Sequence, residues 1–285
     1  MPDGSGAPSW GEEAAAAEGR LLAVLRAHEG LTVAVSGGID SMTLAHVAHR
    51  LGERPVRMAH AVSPAVPPAA TARVRAYAAR EGWDLHVVEA GEFADPDYLK
   101  NPVNRCYFCK TNLYDRLAGL AAGAIASGAN VDDLGDYRPG LTAAAERDVV
   151  HPYVEAGIGK ADIRALARRY GLDDIAELPA QPCLASRVET GIAIESADLA
   201  FIDRVETLLR RRFGENRTIR CRITAAGVAV EADEALAGRF AEMRAMAAAD
   251  CAAEARRFLG VRPYRRGSAF LHGEGAAPRD ASGGA

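Results

Sequence analysis

The sequence predicts an α/β protein, a doubly wound parallel sheet followed by a smaller C-terminal α+β domain. Three observations lead there. Residues 31–35 form an apolar run too continuous for a half-exposed strand, as expected of a central parallel strand buried on both faces. Strand and helix patterns then alternate up to residue 89 with no hairpin signal. Beyond Gly191 the pattern changes to a helix, a hairpin and a second helix. At 285 residues the chain also exceeds one typical domain.

Residues 1–9 are rich in Gly, Pro and Ser; residues 1–19 are assigned to a disordered segment and 20–190 to a nucleotide-binding domain, with helical periodicity over 11–28. After the strand at 31–35 a turn, Ser36-Gly-Gly-Ile-Asp-Ser41, leads into a helix over 42–50, which Ser41 or Asp40 can cap. A strand at 55–62 ends at the Pro64, Pro67 and Pro68 cluster, a helix over 69–81 stops at Gly82, and a third strand occupies 84–89. Further on come a helix at 111–119, a strand at 124–127, a fifth strand at 148–154 and a helix over 159–170.

The smaller domain is placed at 191–272. Its first helix, 197–213, carries Leu199, Ile202, Val205, Leu209 and Phe213 along one stripe. Strands at 218–224 and 228–232 read as a hairpin, an Ala-rich helix is expected over 234–259 and a last strand over 261–265. Residues 273–285 have the composition of a disordered tail.

The turn at 36–41 is where chemistry is expected. Gly37 and Gly38 permit backbone angles closed to other residues and let an anion approach the main chain, while the helix start offers unpaired N–H donors. No lysine follows in the G-x-x-x-x-G-K-[ST] pattern of the ATPase P-loop. The segment instead resembles the S-G-G-x-D-S signature of the PP-loop family, which implies a PP-loop ATP pyrophosphatase (HUP-like) fold. It also implies that the cradle holds the pyrophosphate of ATP and that the reaction leaves AMP. Near the carboxyl ends of such strands, Asn130 and Asp132 are candidates to bind a sugar, a base edge or Mg²⁺, and Lys160 and Arg164 to face phosphate.

Net charge is −4 and the isoelectric point about 6.0, so no long-range attraction draws the chain to nucleic acid or anionic membrane. No apolar run approaches a membrane span and no signal-peptide pattern is present, which leads to the expectation of a cytoplasmic protein without a membrane partner. Of the five cysteines, Cys221 and Cys251 fall on apolar faces. Cys106 and Cys109 form a C-x-x-C pair between Arg105 and Lys110, and Cys183 follows Pro182, with Arg187 four residues on as a candidate to stabilise a thiolate or to bind an anion such as the phosphates of a nucleotide; all three cysteines are placed in loops. Three thiolates can hold a [4Fe–4S] cluster with one iron open, or a zinc ion with an open site.

At this point a closer likeness emerges. Residues 101–110, the Gly128-Ala-Asn-Val-Asp-Asp133 segment with Leu-Gly-Asp-Tyr-Arg-Pro-Gly140 after it, Glu155-Ala-Gly-Ile-Gly-Lys160 and Pro182-Cys-Leu-Ala-Ser-Arg187 resemble the LarE family, in order over residues 20–267. The resemblance implies an ATP-dependent sulfur transferase that adenylates a carboxylate of pyridinium-3,5-dicarboxylate mononucleotide and converts it to a thiocarboxylate, on the way to the nickel-pincer nucleotide. Of the family's two sulfur sources, a sacrificial cysteine matching Cys183 or a cluster on three cysteines, this chain has the three-cysteine pattern. ATP, Mg²⁺ and a [4Fe–4S] cluster are the implied cofactors. A homo-oligomer is implied too, a hexamer being the assembly the likeness points to. Ala129 stands where the family usually has threonine.

Arg220 and Arg222, two apart on one strand, face one way and are candidates to clamp a substrate phosphate, with Glu206 and Glu231 as a nearby cation site. Three rival readings differ in what they demand. A PP-loop enzyme that thiolates tRNA needs a basic face, which the acidic balance disfavours, so tRNA is not the expected partner. An amidating PP-loop ligase leaves C-x-x-C without a task, and a metal carrier leaves the cradle idle.

Overall fold

The structure, a computed structural model, describes residues 10–135 and 138–265. The chain opens with helix α1 (Trp10–Arg26), then β1 (Leu31–Ala34), α2 (Ile39–Leu51), β2 (Val56–Val62), α3 (Pro68–Glu81) and β3 (Asp84–Glu89). A short α4 (Pro96–Leu99) precedes α5 (Arg105–Ala118) and β4 (Ala124–Ala126). Next come α6 (Pro139–Ala145), α7 (Pro152–Glu155), α8 (Lys160–Arg169) and α9 (Asp173–Ala176). The last part holds α10 (Ser196–Phe213), β5 (Ile219–Thr224), β6 (Gly227–Ala232), α11 (Phe240–Ala253) and β7 (Phe258–Pro263).

The first four strands form a parallel sheet in the order β3-β2-β1-β4, so β1 lies between a strand that follows it and one reached by the long crossover through α5. Strand order reverses at β1, and a crevice opens at its carboxyl end. Side-chain alternation divides the sheet between two cores. Leu31, Val33, Met58 and Ala126 pack under α1, α2, α3 and α8, whereas Ala59 and Ile125 face Tyr114, Leu117 and Ala144 of α5 and α6. The sheet is therefore covered on both faces, the arrangement expected of parallel strands with apolar sequences. A second sheet, β5-β6-β7, is antiparallel then parallel and packs on α10 and α11.

Four expectations need correction. Helix α1 already begins at residue 10, so residues 10–19 are ordered; the expectations for 1–9 and 273–285 lie outside the described residues. The fifth strand at 148–154 reduces to one bridge, Ala126 to Val150. Asp148 sits at φ +52, and Pro152, with no N–H to give a ladder, opens α7. The long helix over 234–259 becomes a 3₁₀ turn (Glu234–Arg239) and α11, which ends where Ala255 takes φ +53 and Arg256 N–H returns to the Cys251 carbonyl at 2.8 Å. Strand β7 therefore starts at Phe258 and pairs in parallel with β6. Alanine favours helix at every position and hides where a helix stops. Finally, α5 begins at Arg105, so Cys106 and Cys109 lie on a helix and not in a loop. A spacing of three is one helical turn.

Packing does not part at residue 191. Ala65, Tyr98, Leu184, Ala185 and Val188 belong to the same core as α10, β5 and α11, and Val188 bridges Ile223 of β5.

Candidate functional site

The loop between β1 and α2 is knotted on two serines. Ser41 Oγ accepts from Ser36 N–H at 3.0 Å, lies 3.1 Å from Ser36 Oγ and donates to the Gly38 carbonyl at 3.2 Å. Ser41 therefore ties the loop and does not cap the helix: Gly38 is the N-cap, no side chain accepts from its first turn, and the leading N–H groups stay available to an anion. Gly37 has φ +82, and a Cβ there would stand 2.8 Å from the Ala70 carbonyl oxygen. From the next loop, Gly128 presses so closely on α2 that a Cβ would lie 2.8 Å from the Ser41 nitrogen. These two glycines are demanded by backbone contact, Gly38 much less so.

Lys160, at the start of α8, forms an ion pair with the Asp40 carboxylate. Burial pushes the Asp40 carboxyl up and Lys160 pulls it back, with burial prevailing. Its Oδ1 is buried without a hydrogen-bond partner, a vacant carboxylate oxygen of the kind a Mg²⁺ ion takes. Asn130, a candidate nucleotide ligand, is wholly buried and accepts from Asp132 N–H at 3.1 Å in a turn shared with Asp133. Asp132 is exposed and accepts from the Lys160 N–H at 2.7 Å through Oδ2, which ties this loop to the start of α8. Arg164 likewise donates to the Ala176 and Leu178 carbonyls.

Cys106 is exposed, whereas Cys109 and Cys183 are half-buried against the core that contains Tyr98. Desolvation holds the Cys106 thiol up, Cys183 adds to it, and Arg105 and Lys110 oppose. Cys109 is pushed up to about 12 by burial first and Cys183 second. Three thiols from two distant segments thus meet. Among the described residues, however, no three His, Cys, Asp or Glu side chains are set to hold a single metal ion.

The loop that carries Cys183 hangs from a buried ionic frame. Arg187 forks onto Glu206 at 2.9 and 3.1 Å and donates to the Pro182 and Cys183 carbonyls at 2.5 and 3.0 Å. Glu206 also takes Arg210 and the Cys221 N–H, so although burial raises its carboxyl, Arg187 and Arg210 hold it below the ordinary range. Arg220 donates to the Ala180 carbonyl at 2.5 Å, and Arg222 to Ser186 at 2.8 Å while pairing with Glu231 at 2.9 Å. Burial and the nearby Arg187 charge lower Arg220 to about 10. Two site assignments change accordingly. Glu206 and Glu231 are arginine partners and not a cation site, and Arg187 fixes the backbone at Cys183 and does not reach out to ATP. Arg220 and Arg222 also brace this loop, with some guanidinium N–H groups spent on it.

Sequence reasoning missed Arg73, which donates to the Gly37 carbonyl at 2.6 Å and to Gln181 at 3.3 Å and so spans from the cradle to the cysteine loop. It also missed His60, wholly buried, with Nδ1 2.7 Å from the Val35 carbonyl and Nε2 2.8 Å from Thr71 Oγ1. A carbonyl only accepts, so Nδ1 carries the proton. Neither residue lies in a motif; only the fold brings them to the loop.

A parallel sheet with a glycine-serine turn at its reversal point, and a separate small C-terminal sheet, defines an α/β fold of PP-loop type. No family model matches the chain. It is 41% identical over 184 residues to an uncharacterised protein of Synechocystis sp., covering 63% of this chain and 68% of that one. An uncharacterised protein of Methanocaldococcus jannaschii is 28% identical over 184 residues, 63% of this chain and 69% of the relative. The pyridinium-3,5-bisthiocarboxylic acid mononucleotide synthase of Lactiplantibacillus plantarum is 30% identical over 195 residues, 67% of this chain and 70% of that enzyme. The chain belongs to the LarE family, that of pyridinium-3,5-bisthiocarboxylic acid mononucleotide synthase.

Proposed function

We propose that the protein is a sulfurtransferase of nickel-pincer nucleotide biosynthesis, which uses ATP to convert a carboxylate of pyridinium-3,5-dicarboxylate mononucleotide to a thiocarboxylate. The observation that carries this reading is an anion cradle joined by Arg73 to the loop of Cys183, with the C-x-x-C pair of α5 packed against the same core as that loop. A carboxylate is a poor electrophile. Attack of its oxygen on the α-phosphorus expels pyrophosphate and gives an acyl adenylate; sulfur then attacks the acyl carbon and AMP leaves with the bonding pair. The uncapped first turn of α2 would hold the pyrophosphate, Lys160 would offset its charge, and Asp40 Oδ1 would bind Mg²⁺.

The group we propose on the three cysteines is a [4Fe–4S] cluster and not zinc. A four-iron cluster takes three thiolates on three different irons and leaves the fourth iron open. Cys106, Cys109 and Cys183 would hold it, and it would supply an open iron for a transferable sulfide. Arg220 and Arg222, which brace the Cys183 loop, would bind the substrate phosphate. Homo-oligomerisation is part of the proposal.

The test is an anaerobic reaction with ATP, substrate and sulfide on protein whose iron and sulfide have been counted. More than one thiocarboxylate per chain, with AMP and pyrophosphate in step, is expected. A single turnover with a mass loss of about 34 Da at Cys183, the mass of H₂S, would replace the cluster with self-sacrifice of that residue.

A further inference from the structure

Arg105 opens α5 and is only 5% exposed. A guanidinium so deeply buried ordinarily faces a carboxylate, because an unpaired charge in the interior is heavily penalised. Among the described residues Arg105 makes no ion pair; its Nη1 donates to Asn101 Oδ1, and its guanidinium also reaches the Cys106 thiol. Asn101 is itself fully buried, holds φ +54, and donates through Nδ2 to the Glu189 and Ile192 carbonyls at 2.9 Å each. Its amide cannot turn, so the Arg105 fork is fixed in place with most of its N–H groups unspent. A non-glycine residue in left-handed backbone, over-determined by its neighbours, is a feature that clusters at ligand sites.

A second donor is stranded beside it. Tyr98 is 1% exposed and its phenol has no partner. It shares a core with Cys109 and Cys183, and Cys109 lies one helical turn from Arg105 on the same face of α5. Glu92, buried beside Tyr98 and Cys109, leaves Oε2 unpaired and makes no ion pair with Arg105. Beside the thiols, then, stand a guanidinium with no carboxylate paired to it and a buried phenol with no acceptor, two donors of the kind that suit a small anion.

We propose that Arg105 and Tyr98 form a binding subsite for a sulfur monoanion, hydrosulfide, held next to the three thiols before transfer. The inference rests on the sulfur-transfer reading above. Hydrosulfide attacks the acyl carbon of the adenylate, the C–S bond forms as the C–O bond to AMP breaks, and the thiocarboxylic acid gives its proton to solvent.

Equilibrium dialysis with radiolabelled hydrosulfide, run anaerobically on metal-free and on iron-loaded protein, reads the subsite without activity. Arg105→Gln is expected to weaken binding about tenfold or more, and Tyr98→Phe about threefold, at unchanged iron content. A neutral ligand of the open iron, an isonitrile, should bind both variants as it binds the parent. Equal loss of hydrosulfide and isonitrile would mark a merely structural arginine, and hydrosulfide binding unchanged in both variants would overturn the subsite. If the parent takes up no iron yet binds hydrosulfide through Arg105, the subsite stands and the cluster falls.

Discussion

In the nucleotide cradle the ties are short: Ser36, Gly38 and Ser41 bond one another within six residues, and the one charged pair, Asp40 with Lys160, is closed. In the thiol pocket the ties are long. Cys106 and Cys109 stand on α5, Cys183 hangs on a loop braced by Arg187, Arg220 and Arg222, and the buried Arg105 has no countercharge among the described residues. The difference separates two kinds of preorganisation. A turn that offers backbone N–H groups can be complete without any ligand, whereas a pocket that buries a guanidinium without a carboxylate keeps unpaired charge in reserve.

That contrast is broken most severely by removing one half at a time. Cys183→Ala is expected to form AMP and pyrophosphate normally while making no thiocarboxylate, measured by separating nucleotides and product after a timed reaction. Asp40→Ala should do the reverse damage, lowering pyrophosphate release by about 100- to 1,000-fold. Normal thiolation by either variant would remove that half from the mechanism. Next in size is the ionic frame. Glu206→Gln leaves Arg187 and Arg210 buried without their countercharge and should cost about 3–5 kcal/mol in a urea titration. A cost near that of an exposed pair such as Arg168 with Glu177 would mean that the frame is wet.

Gly37→Ala sharpens the cradle side. Its methyl would meet the Ala70 carbonyl at φ +82, so a loss of about 1–3 kcal/mol is expected, together with weaker ATP binding by calorimetry. The smallest effect per group and per pH unit is a pH dependence. Burial lowers the pKa of His46, His60 and His151, so the native state keeps them neutral. Below about pH 6.5 the unfolded chain binds more protons than the native one, and stability falls with falling pH by up to about 1.4 kcal/mol per unit for each histidine. Above that pH the contribution is fully present. Thermal melts from pH 8 to 5 should show the slope, and His60→Gln should flatten it.

How much of this was legible in the sequence follows the same divide. The strand, turn and helix of the cradle are contiguous, and local pattern was enough to place Gly37, Gly38 and Asp40. The parallel sheet was legible for the same reason. Residues 148–154 read as a strand because their apolar run says nothing of where Pro152 falls in a ladder, and the Ala-rich stretch after 234 concealed its own interruptions. Cys183 stood out by its prolines, but the partners of Arg187, Arg220 and Arg222 did not. A strand pattern tells which way an arginine points and not whether a buried glutamate waits there. Arg73 and Tyr98 gave no signal at all, since each resembles an ordinary helix residue until the loops are brought together.

The bridge from Val188 to Ile223 has a consequence for the order in which the chain is made. Everything that shapes the cradle, through Gly128 and Lys160, has been synthesised before Cys183 appears. The groups that fix Cys183, namely Glu206, Arg220 and Arg222, come after it, at translation speeds of about 5–20 residues per second. A nascent chain that has emerged only as far as about residue 200 would therefore display the whole parallel sheet and the C-x-x-C pair, with the third thiol still lacking the residues that fix it.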